Sequence, residues 1–146
     1  MKYYGICPAS CGEFVQGVMD RAEYLCSYAV DLYSTAEVEE KLNNINLGPL
    51  KSRKAIEAVF KKFNIPVEES KNISLKIRSK IPVGKGMASS TADIGATIGA
   101  TLGLIKKELS SEEIAKLAST IEPTDSIYIE KNSIFNPLNG EVIRQC

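Results

Sequence analysis

The chain has 146 residues, 44% apolar and 25% charged, proportions that fit one globular domain with a core of its own. Eighteen basic residues balance eighteen acidic ones, so it has neither the basic excess of a nucleic-acid binder nor the charge excess of a disordered tail. It contains no histidine, which excludes Ser–His and Cys–His catalytic pairs and imidazole-bearing zinc sites, and leaves chemistry to carboxylates, hydroxyls, lysines, thiols and backbone amides.

In chain order, residues 3–7, 14–19, 24–30 and 32–38 read as strands, rich in aromatic and β-branched side chains. The string Cys7-Pro8-Ala9-Ser10-Cys11-Gly12-Glu13 reads as a tight loop between the first two. Asn43-Asn44 and Gly48-Pro49 then punctuate the chain. Over residues 50–64, the spacing of Ala55, Ile56, Val59, Phe60 and Phe63 predicts an amphipathic helix, and the alternation of Ile73, Leu75 and Ile77 a half-buried strand.

Residues 87–105 read as the next helix. It has one charge, Asp93, and glycines at 95, 99 and 103. Few of its side chains are large and apolar, and Asp93 would be costly in lipid, so it reads as a buried helix rather than a membrane span. Its glycines form a smooth ridge that admits a close neighbour. Ser110 and Glu113 make a capping box for a further helix through Ile114, Leu117, Ala118 and Ile121, which must stop near Glu122 because Pro123 follows. Short strands are expected at 127–129, 133–135 and 142–143, with a turn at Asn136-Pro137-Leu138-Asn139-Gly140. The sum is an α+β domain.

The cysteines are Cys7, Cys11, Cys26 and Cys146. Cys7 and Cys11 lack the second pair a structural zinc site needs. Met1-Lys2-Tyr3-Tyr4-Gly5 has no apolar stretch of signal-peptide length, so a cytoplasmic location with reduced thiols is expected.

The strongest chemical signal is Pro82-Val83-Gly84-Lys85-Gly86-Met87-Ala88-Ser89-Ser90-Thr91. A glycine loop between a strand and a helix lets backbone amides converge at the helix's positive end, a cradle for phosphate. Ser89 and Ser90 would place hydroxyls in the first turn. Neither a P-loop, which ends in Gly-Lys-Ser/Thr, nor the dinucleotide fingerprint fits, and a plain capped turn is the alternative. The second signal is Glu122-Pro123-Thr124-Asp125-Ser126, two carboxylates that can share a magnesium ion and a substrate hydroxyl, or else face water at a helix end.

Together these segments resemble the GHMP kinase superfamily. Residues 82–92 match its phosphate loop, and Cys7 to Gly17 with Glu122 to Ser126 resemble its cobalamin-pathway L-threonine kinase branch, associated with propanediol utilisation. The resemblance implies the superfamily's N-terminal domain, a ribosomal protein S5 domain 2-like fold with a mixed or antiparallel sheet and helices on one face. It implies ATP and Mg2+ as cofactors and L-threonine or a similar small hydroxyl compound as acceptor, with no nucleic-acid or membrane partner. By that resemblance Pro82, Gly84, Lys85, Gly86, Met87, Ala88, Ser89, Ser90 and Thr91 line the nucleotide site, Ser90 and Glu122 hold magnesium, Asp125 orients or deprotonates the acceptor hydroxyl, and Ser10 and Glu13 help form the acceptor pocket. Such kinases are roughly twice as long. The expectation is therefore an N-terminal domain over 1–146 without its C-terminal partner, nearly inactive alone and able to self-associate through the face left exposed.

Overall fold

The computed structural model describes the backbone of residues 1–19, 22–41, 48–81, 89–122, 133–135 and 142–145, and the side chains of 1–8, 32–41, 48–81 and 89–122. The chain opens on a long antiparallel hairpin of β1 (Lys2–Met19) and β2 (Ala22–Glu40). Helix α1 (Leu50–Lys62), a 3₁₀ segment (Val67–Asn72), β3 (Ile73–Ser79), α2 (Ser89–Ile105) and α3 (Ser111–Ser119) follow, then β4 (Ser133–Phe135) and β5 (Val142–Gln145). β2 is the hub of the sheet. It pairs with β1 along one edge, and along the other with β3 and, at Leu25, with β4, which in turn pairs with β5. Every described pair is antiparallel.

The hairpin corrects two expectations. Residues 7–13 do not form a loop between strands but continue β1, and residues 24–38 belong to one strand. Where a reversal was expected the ladder slips instead, with register shifts between Pro8 and Ala9, Ser10 and Glu13, and Glu13 and Val15. Pro8 has no amide to donate and Gly12 has no side chain to pack, so these turn-forming residues produce bulges within a strand that its partner keeps extended. The expected strand at 127–129 and the turn at 136–140 lie outside the described residues.

One face of the sheet is dry. Gly5 and Cys7 of β1, Ser34, Ala36 and Val38 of β2, and Ile73 and Leu75 of β3 are buried, at the alternate positions that strand geometry assigns to one side. Tyr4 and Ile6, the residues between, stand 60% and 66% exposed on the other side. Helix α1 closes the buried face with Ile56 and Phe60, and the Arg53 guanidinium donates to Ile73 O at 2.6 Å and Ser70 O at 2.8 Å, tying this helix to the start of β3. Both arms of the α3 capping box form: Glu113 N donates to Ser110 Oγ, and Ser110 N to Glu113 Oε1, each at 3.2 Å.

Helix α2 is central. Ala92, Ala96 and Ala100 meet the sheet, while Ile94, Ile98 and Leu102 pack against Ala55 and Val59 of α1 and Ala118 of α3. A helix covered on two sides needs little amphipathic contrast, which is why its sequence shows none. Thr97 and Thr101 are fully buried, and their hydroxyls donate back along the helix to Asp93 O at 2.7 Å and Thr97 O at 2.8 Å. No described helix is long and apolar enough to cross a membrane.

The expected close approach occurs at Gly99 and Gly103, and its counterpart in the sheet is Gly5. A Cβ on Gly99 would lie 3.6 Å from Gly5 Cα, and one on Gly103 would lie 3.5 Å from the Tyr3 ring. A Cβ on Gly5, by contrast, would sit 1.9 Å from Ala96 O and 2.5 Å from Ala100 N. Backbone atoms cannot rotate away, so Gly5→Ala must lift α2 off the sheet. We expect Gly5→Ala to lose ~3 kcal/mol of stability, and Gly99→Ala to be neutral or to gain up to ~1 kcal/mol from helix propensity. Urea unfolding of both variants checks this. Equal losses at the two positions would show that Gly5 does not set the approach.

Candidate functional site

Ser89, Ser90 and Thr91 occupy the first turn of α2, where leading amides lack helical partners and the dipole favours negative charge. No acidic side chain of the helix answers them in that turn. The end of α3 faces it. The helix proper stops at Ser119, but the amides of Ile121 and Glu122 both return to Ala118 O, at 3.0 Å and 3.2 Å. This closed turn fixes the backbone of Glu122 just before Pro123.

Ser90 and Glu122 then meet across 32 positions of sequence: Ser90 Oγ donates to Glu122 Oε1 at 2.6 Å. Thr91 Oγ1 lies 3.5 Å from the same oxygen, and Glu122 Oε2 is ion-paired with Lys51 Nζ in the first turn of α1. The Glu122 side chain is only 10% exposed, so it is held from three helices rather than waving in solvent. That disposes of the reading of Glu122 as an acid facing water at a helix end.

A hydroxyl and a carboxylate oxygen at a helix N-terminus are hard donors of the kind Mg2+ prefers. Among the described residues there is no cluster of three or more metal-ligating His, Cys, Asp or Glu side chains. Two protein ligands nevertheless suit Mg2+, which takes the rest of its shell from substrate phosphates and water rather than from a protein cage. The residues present therefore fit this ion.

Behind this group lies a second one. Asp93, one turn beyond Ser90 on α2, accepts a hydrogen bond from Ser34 Oγ of β2 at 2.5 Å. Burial pushes the Asp93 carboxyl above its ordinary pKa, the Ser34 hydrogen bond works the other way, and the charge of Glu122 adds to the rise. Cys7 is buried beside it, and burial, with the Asp93 charge contributing, pushes its thiol up to about 12. At neutral pH Cys7 is thus a protonated core residue. It is neither a thiolate ligand nor a nucleophile.

Of the residues singled out from sequence, Ser89, Ser90, Thr91 and Glu122 are brought together. Pro82, Gly84, Lys85, Gly86, Met87, Ala88 and Asp125 lie outside the described residues. Ser10 and Glu13 sit on β1 opposite Ala29 and Ser27, flanking a register shift, and their side chains are not described. Sequence reasoning did not place Lys51, Ser34 or Asp93 at the site. Asp93 had a signal, the lone charge of its helix. Lys51 and Ser34 had none, because their partners are 71 and 59 positions away.

Comparison with known proteins follows the same lines. The family profile of the GHMP kinases N terminal domain matches residues 51–129. The chain is 43% identical over 140 residues to an L-threonine kinase of Salmonella typhimurium, covering 96% of this chain and 46% of that protein. It is 44% identical over 70 residues to a mevalonate kinase of Pyrococcus abyssi, covering 48% of this chain and 20% of that protein. A solved mevalonate kinase superposes with a TM-score of 0.73 at 26% identity, over 98% of this chain and 56% of the other. The chain thus spans about half the length or less of these relatives.

The Asp93–Ser34 pair can be tested without any ligand. In Asp93→Asn the amide oxygen still accepts from Ser34, while the opposed charge is gone. Asp93→Ala leaves a buried hydroxyl without its acceptor. We expect Asn to be neutral or stabilising at pH 8 and Ala to cost about 1–3 kcal/mol. A carboxylate whose folded pKa is raised gains stability from protonation, so the advantage of Asn over wild type should shrink as pH falls towards the raised pKa. Denaturant unfolding at pH 8 and pH 5 measures both. An Asn variant as damaged as the Ala variant would show that the ionised carboxylate is needed for stability.

Proposed function

The chain belongs to the GHMP kinases as their N-terminal domain, and we propose that it is the nucleotide-binding portion of a kinase that phosphorylates the hydroxyl of L-threonine to O-phospho-L-threonine, in service of cobalamin biosynthesis. One contact carries the reading: Ser90 Oγ on Glu122 Oε1 at the N-terminal end of α2. It joins a hydroxyl and an acid at the point where a helix end favours phosphate.

Each residue has a distinct task. The glycine-loop amides and the first turn of α2 bind the phosphate chain. Ser90 and Glu122 would hold Mg2+, which would supply positive charge against the phosphates. Asp125 would orient the acceptor hydroxyl or take its proton, and Ser10 and Glu13 would contribute to the acceptor pocket. The choice of L-threonine is supported by the extent of similarity. It runs over 140 residues for the L-threonine kinase and over 70 for the mevalonate kinase. Phosphoryl transfer relies on positioning and on charge stabilisation in a water-poor site, so the half domain binds nucleotide and contributes little turnover alone.

Calorimetry with the 146-residue chain tests the nucleotide site. Mg-ATP should bind, and Ser90→Ala and Glu122→Gln should each weaken it about 10-fold or more. Unchanged affinity in both variants would defeat the reading. In a form of the protein long enough to turn over, Asp125→Asn should abolish transfer while nucleotide affinity stays within about threefold. Threonine should outcompete homoserine and serine as acceptor in the same assay, and a preference for homoserine would reassign the substrate.

A further inference from the structure

Lys51 stands in the first turn of α1, its side chain 53% exposed, with its ammonium on Glu122 Oε2. The other oxygen of that carboxylate accepts from Ser90. The ammonium is therefore held one carboxylate away from the first turn of α2. An isolated exposed ion pair stabilises a fold by little, typically below ~1 kcal/mol. Glu122 is different because of where it lies: its charge is nearly buried and sits at the end of α2 where a polyanion is to bind. Mg2+ held by Ser90 and Glu122 would offset only part of the charge that a triphosphate and this carboxylate bring together, so a nucleotide site built around Glu122 gains from a second cation beside it. Among the described residues Lys51 is the cation paired with Glu122.

The surroundings agree with an anion on that side. The first turn of α1 has no acidic residue, and Pro49 at its N-cap position offers no side-chain cap. The neighbouring Ser52 hydroxyl is buried and has no hydrogen-bond partner among the described residues. The turn thus presents donors and positive charge, and its own side chains do not answer them.

We propose that Lys51 is a phosphate-binding residue of the nucleotide site, held in readiness by Glu122 and shared between that carboxylate and the bound phosphate chain. The inference rests on the reading of Ser90 and Glu122 as part of a nucleotide site. It gives Lys51 a double character. Towards a bare divalent cation it is a competitor, since both draw on Glu122. Towards a nucleotide it is a ligand, with a long flexible stem that reaches either partner.

This character makes opposite predictions for two probes. In the 146-residue chain, Lys51→Met should tighten binding of Mn2+ alone, read by electron paramagnetic resonance, because Glu122 loses its internal counter-ion. The same variant should weaken Mg-ATP about 10-fold in calorimetry, the loss expected of one charge-assisted hydrogen bond. Lys51→Arg should restore most of the nucleotide affinity. Unchanged Mg-ATP affinity in Lys51→Met overturns the proposal, as does a loss of both Mn2+ and Mg-ATP binding, the pattern of a residue that merely holds Glu122 in place. Wild-type protein that binds no Mg-ATP would remove the kinase reading itself and this inference with it.

Discussion

The depth at which α2 lies on the sheet governs the rest of this structure. That depth is set where Gly5 meets the backbone at Ala96 and Ala100, with its Cα facing the side of Gly99 on which a Cβ would stand. Small residues on both surfaces, Gly5, Cys7, Ser34 and Ala36 below and Ala92, Ala96 and Ala100 above, let a helix approach a sheet closely. The gain is positional as well as energetic. Only at this separation does Asp93 reach Ser34, so the first turn of α2 is pinned to β2 by a hydrogen bond one turn from Ser90.

The site itself is an agreement between three helix ends. The first turn of α1 supplies Lys51, that of α2 supplies Ser90 and Thr91, and the turn closing α3 supplies Glu122. Glu122 could not perform this task from a frayed terminus. Its amide is tied to Ala118 O, and Ala118 is packed against α1 and α2 in the helical core. Packing of apolar residues remote from the site thus fixes where a carboxylate points. This is the usual division between a scaffold that positions and the few polar groups that act.

Charge is managed in layers. Near the surface, Glu122 is neutralised by Lys51 and softened by hydroxyl donors. Behind it, Asp93 is held by a single described hydroxyl, and its charge is opposed by burial and by Glu122. Two carboxylates close enough to oppose each other raise the affinity of their surroundings for a cation, at a cost to the fold. The protonated thiol of Cys7 beneath them adds no further charge.

Much of this was legible in the sequence. The helices at 50–64 and 110–121, the alternating strand at 73–77 and the capping box at Ser110 and Glu113 are local patterns, decided by spacing and short-range hydrogen bonds within a few residues. The glycine ridge of α2 announced a close neighbour, and Ser90 and Glu122 were each conspicuous in their own segments. What only the tertiary structure decided were the partners. Gly5 as the floor under the ridge, Ser34 as the acceptor's mate for Asp93, and Lys51 as the counter-ion of Glu122 all come from elements distant in the chain. The continuity of β1 through Pro8 and Gly12 was likewise settled by pairing with β2. A local pattern records what a residue prefers. Which side chain stands opposite it depends on how layers stack, and that is a property of the packed whole.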